Sequence, residues 1–139
     1  MRIDEAGQRL IGCTLSSGID FPITNREAYF ANLYQDHELT LQGQILCEAV
    51  DLTPGVNLRG HAKPAVGLSC YSWLNALGAD KVTAIQGFDR TTDRFETCAF
   101  EMGDAVQVPK GTDFPIAPGA GYLLNAVSAG SLTLPGCEQ

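Results

Sequence analysis

Two histidines, five cysteines and a few turn carboxylates are the residues of this 139-residue chain best suited to chemistry. A cysteine nucleophile needs a base beside it. His61 follows Arg59-Gly60, and a turn there would carry its ring toward Cys70, which keeps a small Cys–His hydrolase as a remote reading. No nucleophile-elbow pattern surrounds Cys70. His37 lies in Asp36-His37-Glu38, a polar turn where a solvated imidazole is expected. The glycines around Gly119 precede a strand, and no G-x-x-x-x-G-K-[ST] run occurs, so no phosphate cradle is expected. Asp89, Asp93 and Asp104 lack the close series and terminal glutamate of an EF-hand loop. Asx-turns are the simpler role for them, with a shared calcium ion the alternative. The chain is therefore read as non-enzymatic, with no catalytic residue, cofactor or metal expected.

Cys13, Cys47, Cys70, Cys98 and Cys137 lie far apart, with no C-x-x-C pair and no histidine at zinc spacing. Two readings stay open. The thiols are free and packed as small hydrophobes, or they pair as disulfides in an oxidising compartment. In the second case Cys47 and Cys137 would staple the two ends of a complete module, and Cys70 on a helix would reach Cys98 on a hairpin.

A sugar site would offer flat rings flanked by amides. Trp73, Tyr71 and Tyr34, with Asn32 and Asn125, form the candidate ligand-facing set, extended by Tyr29, Tyr122 and Gln86. Trp73 has a second reading as a core residue. Asp20 and Asp113 are read as hydrogen-bonding the turn before Phe-Pro rather than binding anything.

The elements that position these residues follow from an internal duplication. Residues 18–43 match residues 111–136 without a gap, with 11 of 26 positions identical. The identities include Asp20-Phe21-Pro22-Ile23 against Asp113-Phe114-Pro115-Ile116, and Leu39-Thr40-Leu41 against Leu132-Thr133-Leu134. After a shift of eight residues, Asp4, Arg9 and Cys13 fall opposite Asp89, Arg94 and Cys98. Tyr29 and Tyr122 are equivalent, which favours packing over ligand contact.

The predicted fold is mainly β (α+β): duplicated β-hairpin units forming a small sheet or barrel, with one short helix in a central insert. Residues 1–43 are an upstream half-copy. Residues 44–139 are a complete module, with a unique insert at 44–84 and the second copy at 85–137, and the whole is expected to form one compact unit. Asp89 to Asp93 reads as the turn of a hairpin, Thr53-Pro54-Gly55 as a turn before a strand, and Ser69 and Gly78 as the ends of a helix.

A net charge of −7, with nine scattered basic residues, disfavours nucleic acid and anionic membrane surfaces. No apolar run approaches the roughly 20 residues of a membrane helix. Met1 to Glu5 lacks the basic and apolar regions of a signal peptide, so a secretory signal is expected to lie outside this sequence.

Residues 51–134 resemble a module found in tandem in large bacterial secreted and surface proteins. The resemblance rests on Gly55, Asn57 and Leu58; Leu74, Leu77 and Gly78; Ile85, Phe88, Asp89, Thr92 and Phe95; and Asp113 to Ile116, Gly119, Gly121 and Tyr122. It carries no agreed activity and implies a β-rich accessory spacer or binding unit, extracellular or at the cell surface. A glycine commonly follows the hairpin threonine in that pattern, and this chain has Asp93 there. The upstream copy replaces Pro118-Gly119-Ala120-Gly121 with Asn25-Arg26-Glu27-Ala28.

A half-copy lacks the insert helix and the counterpart of Cys70, which leaves an open strand edge and an uncovered apolar face. Either the insert serves both copies, or the upstream half meets another chain through an edge strand or swapped element. The expected partner is thus a protein or a second copy, with a polysaccharide as the alternative.

Overall fold

Turn residues divide the chain into short strands. The computed structural model describes all residues except 25, 26, 41, 46, 102, 104, 138 and 139, so the readings of Asn25, Arg26, Leu41 and Asp104 lie outside the described residues. Gly55, at φ 100°, carries β3 (Val50–Leu52) into β4 (Gly55–His61), a left-handed step that favours glycine. Ser69 caps α1 (Cys70–Leu77) through a reciprocal capping box with Ser72, and Gly78 ends it. Cys70, Trp73, Leu74 and Leu77 form the buried stripe expected of a one-sided helix.

Between β5 (Val82–Asp89) and β6 (Arg94–Phe100), the Asp89 carboxylate accepts from Thr92 Oγ1 at 2.7 Å and from Thr91 N–H at 2.8 Å. These bonds, the Thr92 hydroxyl first, hold its pKa below the ordinary carboxylate value. Asp93 takes φ 59°, so it occupies the left-handed position where glycine is commoner. The chain continues through β7 (Pro109–Gly111), β8 (Ala120–Ala126) and β9 (Gly130–Leu132), and opens with the hairpin β1 (Arg2–Asp4) and β2 (Arg9–Ile11).

The fold is mainly β with one short helix, as the sequence predicts. Five antiparallel strands pair in the order β4-β8-β5-β6-β7, and β3 pairs separately with β9. Residues opposite one another in a ladder share a face. Ile85 lies opposite both Leu124 and Cys98, so these three point together toward the Trp73 and Leu74 side of α1, where all five are fully buried. Disulfides join Cys70 to Cys98 and Cys47 to Cys137, with Cα separations of 6.2 and 4.9 Å. The first ties the helix to the sheet. The second joins the chain leading into β3 to the segment after β9.

Residues matched in sequence make matching contacts. Asp4 pairs with Arg9 in one hairpin and Asp89 with Arg94 in the other. Gln8 and Asp93, one residue before those arginines, are the two non-glycine residues at positive φ among the described residues. Cys13 bridges Gly18 as Cys98 pairs with Gly111. Ile19 N–H donates to the Gly12 carbonyl at 3.0 Å, and Thr112 N–H to that of Thr97 at 2.9 Å. The Tyr29 hydroxyl accepts from Thr24 N–H at 2.8 Å, and that of Tyr122 from Ala117 N–H at 2.7 Å. Phe21 stacks on Tyr29 at 6.0 Å, and Phe114 on Tyr122 at 6.2 Å.

The reading of both copies as strands needs one correction. Upstream, only the hairpin forms strands; described residues 27–40 form none, whereas their counterparts build β8 and β9. The physical reason is missing partners. β8 lies between β4 and β5, and β9 pairs with β3. β3 and β4 belong to the insert, which has no second copy within residues 1–139, and upstream the Phe30 backbone pairs with that of Met1 instead.

Candidate functional site

β4 should alternate buried and exposed residues if only one face were covered. Instead Asn57, Leu58, Arg59 and His61 are all buried. Two features explain it: α1 covers one face, and the upstream half-copy wraps the β4 edge. Arg59 is the anchor of that seam. Its guanidinium forks onto the Glu5 carboxylate, with Nη1 on Oε1 and Nη2 on Oε2 at 3.0 Å. Nη2 and Nε also donate to the Asp51 carbonyl at 2.7 and 3.1 Å. A buried guanidinium needs this full set of acceptors, because an unpaired one would strongly destabilise the fold.

Neighbouring amides complete the seam. Asn57 Oδ1 accepts from Thr53 N–H at 2.9 Å, and its Nδ2 donates to the Thr53 and Gly55 carbonyls, which holds the turn before β4. Gln8 Oε1 accepts from Val56 N–H at 2.7 Å while Gln8 Nε2 donates to the Val56 carbonyl at 3.4 Å. One side-chain amide thus occupies an edge backbone pair that would otherwise be open to another strand. On the face away from α1, Ala28 sits over Gly60 and Gly121, and Phe30 meets Phe95 edge-on at 6.0 Å.

The candidate ligand-facing residues are not brought together. Trp73 is fully buried in the core, its ring edge-on to Tyr122 at 5.6 Å, so of its two readings the core one holds and its place in the ligand-facing set is corrected. The cause is its place on the stripe of α1 that faces the sheet. Tyr71 is half-buried and its hydroxyl donates to the Gly111 carbonyl at 2.6 Å. Tyr34 and Asn32 are exposed on the upstream copy, and Asn125 on β8. Asn125 does meet Gln86 in a shallow depression of about 200 Å³, lined also by Val56, Ala84 and Leu123. That depression carries no aromatic ring and is smaller than a typical ligand pocket of roughly 300–1,000 Å³.

The Cys–His pairing fails on the sulfur. Cys70 stands at the first position of α1, but its Sγ is bonded to Cys98 and so carries no thiolate. His61 is fully buried with its ring 5.4 Å from that of Trp73. Burial lowers its pKa below 6.5, opposed in part by the Pro135 backbone. Among the described residues neither ring nitrogen has a partner that meets hydrogen-bond geometry, the Pro135 backbone only approaching the ring. His37 is exposed. Among the described residues, no three His, Cys, Asp or Glu side chains converge as metal ligands, and no helix is long and apolar enough to cross a membrane.

Asp113 has a role the sequence reading missed. Its Oδ1 accepts from Tyr71 N–H at 2.8 Å, so it caps α1 from outside the helix rather than its own turn. Beside it, the Phe114 carbonyl accepts from Cys70 N–H, and Ile116 N–H donates to the Leu68 carbonyl, both at 2.9 Å. The Asp-Phe-Pro-Ile run is therefore a helix dock. Its recurrence upstream, at Asp20 to Ile23, was the available signal. Glu5, Gln8, Asn57 and Arg59 carried no comparable signal except Asn57, which lies in the G-x-N-L run. No family model, curated protein or solved structure matches the chain.

Proposed function

We propose that the chain is a non-catalytic, disulfide-stapled interaction module of a secreted or surface protein, built from a half-copy docked on a complete copy of one unit. The seam at Arg59 carries this reading. Its bidentate ion pair and edge-blocking amide join two units of one kind, which is how a module made for serial or partner association would be held. Two disulfides fit an oxidising compartment.

The test is a pair of binding screens on the oxidised full chain. A glycan array is expected to stay blank. A displayed random-peptide library is expected to yield apolar, helix-forming sequences whose binding is lost on combining Ile23→Asp with Leu39→Asp. A saturable glycan signal with no selected peptide would overturn the proposal.

A further inference from the structure

We propose that the exposed face of the upstream copy is a docking seat for a second strand–helix segment of the kind formed by residues 50–77, supplied from outside residues 1–139, whose helix-start cysteine pairs with Cys13. This rests on the reading of the chain as an interaction module and names the partner's chemistry.

The second copy supplies the template. There α1 is held by the Gly111 and Phe114 carbonyls, the Asp113 carboxylate, the Ile116 N–H and the Cys70–Cys98 disulfide. The upstream copy presents the same groups in the same order. The Gly18 and Phe21 carbonyls, the Asp20 carboxylate and the Ile23 N–H bond to no described residue, and Cys13 is a free, exposed thiol. Apolar burial differs in parallel: Ile23 is 73% exposed where Ile116 is 6%, and Leu39 is 76% where Leu132 is 7%. The platform beneath is already formed, because Phe21 and Tyr29 stack as Phe114 and Tyr122 do.

The chain's own insert cannot fill this seat. Cys70, Trp73 and Leu74 are fully buried against the second copy, and Cys70 is already bonded. An intact second copy is excluded as donor for the same reason. The occupant is therefore a further segment with a cysteine at the first helical position and large apolar residues three and four places on, as Trp73 and Leu74 follow Cys70. Covalent closure needs no net oxidant if that cysteine arrives as a mixed disulfide with glutathione. The Cys13 thiolate attacks the segment's sulfur, the new S–S bond forms as the old one breaks, and glutathione leaves as a thiolate that takes up a proton.

The test supplies a synthetic peptide of residues 50–81, as its glutathione mixed disulfide, to the oxidised full chain. Mass mapping should find the peptide on Cys13, formed roughly tenfold or more faster than with a scrambled peptide bearing the same cysteine, because docking raises the effective concentration. Asp20→Ala, at an exposed position, should remove most of that advantage without unfolding the chain. Equal rates for the two peptides would overturn the proposal. So would a Cys13–Cys13 dimer that forms in preference to the adduct, which would make a second copy the occupant. Library peptides that bind the Ile23 face while the 50–81 peptide does not would sink this inference and leave the interaction reading standing.

Discussion

A methyl group placed on Gly121 would meet the Cβ of Ala28 at 2.7 Å, although the two positions are counterparts in the duplicated sequence. Glycine at 121 is what lets the upstream copy lie directly on the sheet. Gly121→Ala is therefore expected to lift the half-copy off β4 and β8, costing about 1–3 kcal/mol as an overpacking change. Gly60→Ala is the control, since its nearest neighbours lie at 4.0 Å. Hydrogen exchange should show β1, β2 and Phe30 losing protection in the first variant only, while α1 keeps its own. Unchanged protection at Phe30 N–H, which donates to the Met1 carbonyl, in Gly121→Ala would mean that this contact does not hold the seam.

The Glu5–Arg59 pair makes a second expectation. Its side chains are 19% and 8% exposed, so solvent screening is weak. Glu5→Ala leaves the guanidinium with only the carbonyls and amide of β3 and β4, and is expected to cost about 3 kcal/mol in urea unfolding. Combining Glu5→Leu with Arg59→Met should recover most of that loss, because two apolar side chains replace a desolvated pair. A double variant no better than Glu5→Ala would show that the hydrogen bonds to Asp51, not the ion pair, carry the energy.

Which features were legible in the sequence follows from the range of the forces that set them. Ser69 and Gly78 mark the helix ends because capping and positive φ are decided within a few residues. The β5–β6 hairpin is legible for the same reason, through Asp89, Thr92 and Asp93. Cys47 and Cys137 pair across 90 residues, yet their place outside the first and last strands of one module made the pairing readable. Glu5 and Arg59 lie 54 residues apart, and a lone Glu and a lone Arg carry no pattern that specifies a partner. β3 and β9 are three residues each, too short to show alternation, and exist because they pair with one another. The same dependence explains why Leu39, which meets no β3-like strand among the described residues, stays outside any strand while Leu132 joins one.

Acid should destabilise the fold through His61. Burial holds its folded pKa below the 6.5 of the free side chain, so the folded ring is neutral while the unfolded ring still takes up a proton. Stability from this group is complete above pH 6.5. It falls as pH drops below that value and levels off once the folded ring also protonates, at a slope of at most about 1.4 kcal/mol per pH unit. Chemical denaturation between pH 7.5 and 5 (about two and a half units around the transition) should show this fall, and His61→Phe should flatten it. A wild-type midpoint that does not move over this range would refute the buried neutral ring.

The two disulfides should contribute unequally. In the chain-entropy model, Cys47–Cys137 closes a loop of 90 residues and stabilises by about 4.6 kcal/mol, whereas Cys70–Cys98 closes 28 and gives about 3.6 kcal/mol. The consequences of losing them differ more than those figures. Removing Cys70–Cys98 leaves α1 still held by Asp113, the Phe114 carbonyl and the burial of Trp73 and Leu74, so the sheet should survive with a loosened helix. Removing Cys47–Cys137 releases the ends of the complete copy, which are then held by the three-residue β3–β9 ladder, the Arg59 bonds to the Asp51 carbonyl and the Ala65 N–H bond to the Pro135 carbonyl. Cys47→Ser with Cys137→Ser is thus expected to expose Leu52 and Leu132 and to melt first at β3 and β9. Peptide mapping without reductant should recover Cys47 with Cys137, Cys70 with Cys98, and Cys13 as a thiol. Any other pairing, or a Cys47→Ser/Cys137→Ser chain whose β3 and β9 amides stay protected, would refute this division of roles.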